Sequence, residues 1–227
     1  MNKKGKLIII ESGTDGSGKA TQTLELYNSL IKEYTNVKKI TFPNYDSPAC
    51  QPVKMYLNGE FGTDPTKVNP YAASTFYAID RYASYMKEWG EFYNNGGIII
   101  SDRYVSSNMV HQATKMNNKE EREKYLDWLY DLEFNKFELP KPDCIIFLDL
   151  KPEISEKLRE NRMNKITGES EKDIHENNIE YMNMCYENSI EIANKYNWNI
   201  VKCYEDNKMK SIEEIRKDIY KIVLQYI

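Results

Sequence analysis

The sequence predicts an α/β fold, a five-stranded parallel sheet flanked by helices on both faces, and three observations carry that reading. Strand-length apolar runs recur at Leu7 to Ile10, Val37 to Phe42, Ile98 to Ile100, Cys144 to Leu148 and Asn199 to Cys203. Each is separated from the next by a segment with helical character, the crossover that parallel strands require. The first run passes directly into Glu11-Ser12-Gly13-Thr14-Asp15-Gly16-Ser17-Gly18-Lys19-Ala20-Thr21, a strand that breaks into glycines and then starts a helix.

That first junction reads as a phosphate-binding loop. Glycines let backbone N–H groups turn inward as an anion nest, the helix beginning near Gly18 aims the positive end of its dipole at the same place, and Lys19 adds a full charge. The match to G-x-x-x-x-G-K-[ST] is incomplete, because Ala20 occupies the last position and the hydroxyl arrives one residue later, at Thr21. Leu24, Leu26, Tyr27, Leu30 and Ile31 then recur at helical spacing. After the second strand, Gly59, Gly62, Pro65 and Pro70 punctuate a polar stretch before a helix over residues 71–93. Pro140 and Pro142 close another helix ahead of the fourth strand. From Arg159 to Lys172 the chain is polar and charged around Gly168, with little to bury; this reads as a mobile surface loop and a candidate lid.

Length and composition narrow the function classes. At 227 residues the chain fits one domain, residues 1–227, able to bury a full core. With 35 acidic against 31 basic residues it has no global field for a nucleic-acid backbone, so any phosphate must be met by a local arrangement of cations. Cys50, Cys144, Cys185 and Cys203 form no C-x-x-C pair, and His111 and His175 are the only histidines, which argues against a zinc site or a disulfide framework. No leader-like segment opens the chain and no run approaches about 18 apolar residues. The expectation is a soluble cytoplasmic protein that binds neither nucleic acid nor membrane.

Two further constellations carry chemistry. The third strand ends in Ser101-Asp102-Arg103-Tyr104, so a carboxylate stands at the carboxyl edge where open α/β sheets bind ligands. Asp102 there suits Mg²⁺ beside nucleotide phosphates; the alternative is a helix N-cap with Arg103 in a surface ion pair. Phe42-Pro43-Asn44-Tyr45 makes a rigid aromatic corner after the second strand, and Tyr77 and Arg81, four apart, share one helix face. An aromatic face with an arginine one turn away can stack a base and clamp a phosphate, although such a stripe also serves as ordinary core.

Taken together and in order, Gly13 to Gln22, Phe42-Pro43-x-Tyr45, Tyr77-Ala78-Ile79-Asp80-Arg81 and Asp102-Arg103-Tyr104-Val105-Ser106-Ser107-Asn108 resemble the thymidylate kinase family, which phosphorylates dTMP. The resemblance runs from about Lys6 to Glu176. It implies a P-loop NTPase fold with a mobile lid over about residues 159–173, usually as a homodimer, and ATP with Mg²⁺ as the phosphoryl donor. By position it implies that Gly13, Thr14, Asp15, Gly16, Ser17, Gly18, Lys19, Ala20 and Thr21 hold ATP, with Asp15 also near the sugar 3′-hydroxyl. Tyr77 would stack on thymine, Arg81 would hydrogen-bond the base, and Phe42 and Pro43 would wall the 5-methyl group. Arg103 and Tyr45 would meet the monophosphate. Asn108 would contact the N3 edge of the base, with Ser107 and Gln112 nearby, and His111 would crowd a ribose 2′-hydroxyl. Glu176 belongs to an element that closes over the sugar.

The departures from that pattern matter. Asn44 stands where many relatives carry an arginine on the substrate phosphate, which shifts that task to Arg103. Ala20 removes a hydroxyl that usually helps hold Mg²⁺, leaving Asp102, ATP oxygens and water, with Thr21 as a further candidate ligand. No basic residue lies between Gly13 and Gly18, so the cation that phosphoryl transfer needs must come from Arg159, Arg162 or Lys165, with Arg162 placed at the reaction and Arg159 on ATP. The rivals are a kinase of the same fold for another monophosphate such as dUMP, a GTP-binding switch, and a non-catalytic nucleotide binder. A switch needs an Asn-Lys-x-Asp element, and the chain has none.

Overall fold

A computed structural model describes residues 4–14, 16–116, 118–159, 178–206 and 208–227, with backbone only for 156–159. Its centre is strand β1 (Lys6–Glu11), whose Leu7, Ile8, Ile9 and Ile10 have no exposed surface. Burying side chains of this kind contributes up to about 1.5–3 kcal/mol each. The loop after β1 leads into α1 (Lys19–Leu30), then β2 (Val37–Thr41), α2 (Gln51–Leu57) and α3 (Pro70–Ser84). A π turn at Tyr85–Trp89 joins α3 to α4 (Gly90–Asn94), followed by β3 (Ile98–Asp102), α5 (Val105–His111) and α6 (Lys119–Tyr130). A second π turn, Asp131–Lys136, precedes β4 (Cys144–Asp149) and α7 (Pro152–Arg159). The chain ends with α8 (Ile179–Lys195), β5 (Asn199–Lys202), a short hairpin β6 (Tyr204–Glu205) and β7 (Lys208–Met209), and α9 (Ile212–Val223).

The five strands lie in the order β2-β3-β1-β4-β5, and every pairing is parallel. Because successive side chains of a strand point to opposite faces, the apolar run of β1 feeds two cores. Leu7 and Ile9 pack with Ile99, Phe147 and the helices α5, α6 and α8, while Ile8 and Ile10 pack with Ile100, Ile146 and the helices α1 and α9. A third cluster around Cys50, Val53, Tyr56, Leu57, Val68 and Ala73 supports Tyr45, Phe76 and Tyr77. The strand order reverses at β1, so the carboxyl ends of β1 and β3 open a crevice at the topological switch point.

The five strands expected from the sequence all form, each within two residues of its expected ends. The single helix expected over residues 71–93 is interrupted by the π turn, which sets the rings of Tyr85 and Trp89 edge to face at 4.9 Å. The β6–β7 hairpin went unpredicted, since strands of two residues carry no periodicity to read.

Candidate active site

At the switch point a cavity of about 860 Å³ opens, large enough for two nucleotides. Its floor is the loop after β1. Gly18 has φ 83°, where a β-carbon would be strained, and it is the N-cap of α1 with no side-chain cap, so the first-turn N–H groups of that helix are left to a ligand. Gly13 is required for another reason: a β-carbon there would lie 2.2 Å from Ser189 Oγ of α8. Lys19 Nζ donates to Ser12 Oγ at 2.8 Å, Thr14 O at 2.9 Å and Ser17 Oγ at 3.4 Å, curled over the loop whose anion it would meet. Gly16, Ser17, Gly18, Lys19, Ala20 and Thr21 all face the cavity, whereas Thr14 is turned inward to Leu150 O.

Beside this floor stands the end of β3. Asp102 faces the cavity, and its Oδ1 is buried with no hydrogen-bond partner, the state of a carboxylate oxygen suited to a cation. Arg103 adopts a left-handed backbone, φ 69°, a conformation that costs a non-glycine residue about 1–3 kcal/mol and is held here by Arg103 N donating to Ile10 O at 3.1 Å. Its guanidinium Nη1 lies 3.7 Å from Glu11 Oε1, 3.4 Å from Ser107 Oγ and 3.3 Å from His111 Nε2.

Glu11 is the residue that sequence reasoning missed. It has no exposed surface, and its carboxylate accepts from Ser12 N at 3.0 Å, Ser106 Oγ at 2.8 Å and Ser107 Oγ at 2.6 Å as well as facing Arg103. The available signal was its position: a charge that directly ends a central apolar strand cannot reach solvent and must be paired.

The far wall is aromatic and amide. Phe42 and Pro43, joined by a cis peptide bond, lie with Tyr45 on one side, and Tyr77 of α3 lies on the other, its ring perpendicular to that of Tyr56 at 6.3 Å. Asn108, His111 and Gln112 line the end. Asn108 and Gln112 each keep a buried side-chain atom without a hydrogen-bond partner, the donor Nδ2 of Asn108 and the acceptor Oε1 of Gln112. Behind Gln112, its Nε2 donates to Tyr56 OH at 3.4 Å, which also takes a hydrogen bond from Lys115 Nζ at 2.9 Å; burial pushes that ammonium down to about 7.

Arg81, behind Asn108, is 1% exposed and forms a two-pronged ion pair with fully buried Glu133, Nε to Oε2 at 2.9 Å and Nη2 to Oε1. Burial works against its charge, but Glu133 outweighs that and raises its pKa. Its Nη1 donates to Asn108 Oδ1 at 3.4 Å. Asp80, next to it, accepts from Asn44 N at 2.8 Å, and burial raises its carboxyl to about 6. Asp15, Arg162, Lys165 and Glu176, the side chain of Arg159 and the lid expected at 159–173 lie outside the described residues.

The family model for thymidylate kinase matches residues 10–219. The chain belongs to the thymidylate kinase family. Membership in that family makes it an enzyme of nucleotide biosynthesis that transfers a phosphoryl group to dTMP. A thymidylate kinase of Mycobacterium tuberculosis is 30% identical over 175 residues, 77% of this chain and 79% of that protein. A probable thymidylate kinase of Thermococcus gammatolerans is 30% identical over 226 residues, covering 98% of each. In three dimensions the chain is similar to a thymidylate kinase from Candida albicans, with a TM-score of 0.69 and 24% identity over 98% of this chain and 92% of that one, a likeness of fold. The two chains thus share one α/β fold.

Proposed function

We propose that this cavity joins ATP and dTMP end to end, with the ATP phosphates on the amides of Gly16 to Thr21 and dTMP between Tyr77 and the Phe42-Pro43 corner. The observation that carries the reading is that the uncapped end of α1, Lys19, Tyr77 and Asn108 all face one cavity. Lys19 gives up its contacts with the loop for the phosphates, Arg103 and Tyr45 hold the acceptor phosphate, and Ser107 and Glu11 keep Arg103 aimed. Asn108 and Gln112 match the imide edge of thymine, the first donating to a carbonyl and the second accepting from N3–H. His111 packs against the sugar.

The chemistry asks little beyond alignment and charge. An oxygen of the dTMP phosphate attacks the γ-phosphorus of ATP, the bond to the β–γ bridging oxygen breaks, and ADP leaves as dTDP forms. Both partners are anions, so holding them in line while cations neutralise the oxygens between them supplies most of the acceleration. When bound, Mg²⁺ supplies further neutralisation of the phosphate oxygens, and Asp102, with its unpartnered Oδ1, is the residue that would hold it beside the nucleotide. Arg159, Arg162 and Lys165 remain the candidates for the transferring charge, Asp15 and Glu176 for the sugars.

The chain works in this reading as one nucleoside monophosphate kinase domain, cytoplasmic and homodimeric. A stripe of exposed apolar side chains along α3 and the turn after it, Ile79, Tyr82 and Met86, supports a partner copy on that face. Among the described residues no helix is long and apolar enough to cross a membrane. A coupled ADP-release assay comparing dTMP, dUMP, UMP and dGMP tests the assignment. The highest kcat/KM should fall on dTMP; a preference for another monophosphate, or no ADP release, rejects it.

A further inference from the structure

We infer that His111 is a positioning residue for the phosphate arginine: its imidazole, in the neutral form only, accepts a hydrogen bond from Arg103 and so holds that guanidinium at the acceptor phosphate. This rests on the proposed seat of the dTMP phosphate on Arg103. Arg103 Nη1 lies 3.3 Å from His111 Nε2. A guanidinium has no lone pair to offer, so at that distance Nε2 is the acceptor and the ring proton sits on Nδ1. An imidazolium carries N–H on both nitrogens. Protonation therefore removes the acceptor and also sets a second positive charge against Arg103.

Three supports converge on that one nitrogen. Glu11 Oε1 stands 3.7 Å from Nη1 and Ser107 Oγ 3.4 Å from it, while the Ser107 hydroxyl donates to Glu11 Oε2 at 2.6 Å. The carboxylate and the hydroxyl are thus tied to each other, and the imidazole is the support that comes from the far end of α5. Pinning Nη1 orients the planar fork as a whole, which a two-pronged grip on phosphate requires. The backbone that carries the ring is fixed from α8: Tyr181 OH donates to the His111 carbonyl at 2.7 Å, and Asn188 Nδ2 donates to Met109 O at 3.1 Å and Val110 O at 2.7 Å. His111 is buried and lines the cavity, so the ring that packs on the sugar also supports the arginine on the phosphate. The ionisable groups around this corner are Glu11 of β1, Asp102 and Arg103 at the end of β3, Tyr77 of α3, Tyr181 of α8 and Lys115 beyond α5. The charge against the imidazole edge is that of Arg103.

The test compares His111→Phe, which keeps a ring but no acceptor, with His111→Gln, whose amide oxygen can accept at every pH. At about pH 8 and saturating ATP, kcat/KM for dTMP should fall about tenfold or more in the Phe variant, the loss of one hydrogen bond from a charged donor, and the Gln variant should recover most of it. From about pH 8 to about pH 5.5 the parent should then lose at least about threefold against His111→Gln, as the imidazole takes up its second proton. Dividing one profile by the other removes the protonation of the dTMP phosphate, which falls in the same range. On an Arg103→Gln background His111→Phe should cost less than about twofold, because the group it positions is gone. Equal losses in the Phe and Gln variants, a flat ratio across that pH range, or an undiminished cost of His111→Phe without Arg103 each overturn the device. In those cases a collapse of dTMP kcat/KM in Arg103→Gln alone leaves the phosphate seat standing. If Arg103→Gln leaves kcat/KM for dTMP unchanged, the seat and the device fall together. Should His111→Phe not fold, the pH ratio of parent to His111→Gln decides by itself.

Discussion

Glu11→Gln separates aiming from folding at this site. The substitution keeps volume, so no cavity term enters. It weakens three charge-assisted hydrogen bonds, from Ser12 N, Ser106 Oγ and Ser107 Oγ, by about 1 kcal/mol each. It also removes the attraction to Arg103 at 3.7 Å, at most about 4.5 kcal/mol at an effective dielectric constant of about 20. Against these losses stands relief from burying a carboxylate, worth several kcal/mol. The opposing terms leave overall stability within about 2 kcal/mol of the parent, a shift of about 2–8 °C in Tm. Arg103, however, loses the anion that fixes it over the acceptor phosphate, and a displacement of about 1 Å there costs about a hundredfold in rate. The assay is coupled ADP release with dTMP varied at saturating ATP, alongside a thermal melt. A folded Glu11→Gln enzyme with dTMP kcat/KM within about threefold of the parent refutes the aiming role.

Gly13→Ala should lower stability by about 1–3 kcal/mol, because its β-carbon would lie 2.2 Å from Ser189 Oγ and 2.9 Å from Ser189 Cβ; an unchanged urea midpoint contradicts this packing. Asp80 has its pKa raised by burial from 3.8 to about 6, so folding favours its protonated form. That stabilisation is fully present below about pH 4 and is lost as pH rises through 6, a swing of about 3 kcal/mol. The stability of the parent relative to Asp80→Asn should therefore fall between pH 4 and pH 7, and a flat difference shows that the carboxyl is not desolvated as described.

The fold was legible because each strand is a short apolar run bounded by polar turns, and burial on both faces of a central sheet demands that pattern of Leu7 to Ile10 and Ile98 to Ile100 alike. The walls of the cavity followed from local signals, glycines at a strand end and aromatics at a rigid corner. What could not be read were contacts joining distant segments. Glu133 lies in a stretch of Asp, Glu, Asn and Lys that looks solvated, and only its meeting with Arg81 makes it core. Spacing puts Arg81 on the face of Tyr77, and nothing local shows that a buried carboxylate pairs with its guanidinium. Lys210, Ser211 and Ile212 line the cavity beside the loop because the β6–β7 hairpin carries them there, a placement without a sequence signature.

The claim beneath all of this is that donor and acceptor nucleotides share one cavity and meet phosphate to phosphate. A dinucleotide with adenosine and thymidine joined through five phosphates spans both seats, and its inhibition pattern measures that sharing. It should compete with ATP and with dTMP alike, bind once per chain, and bind far more tightly than either nucleotide alone. Competition against only one of the two, or affinity no better than that of its halves, would mean that the seats are not continuous.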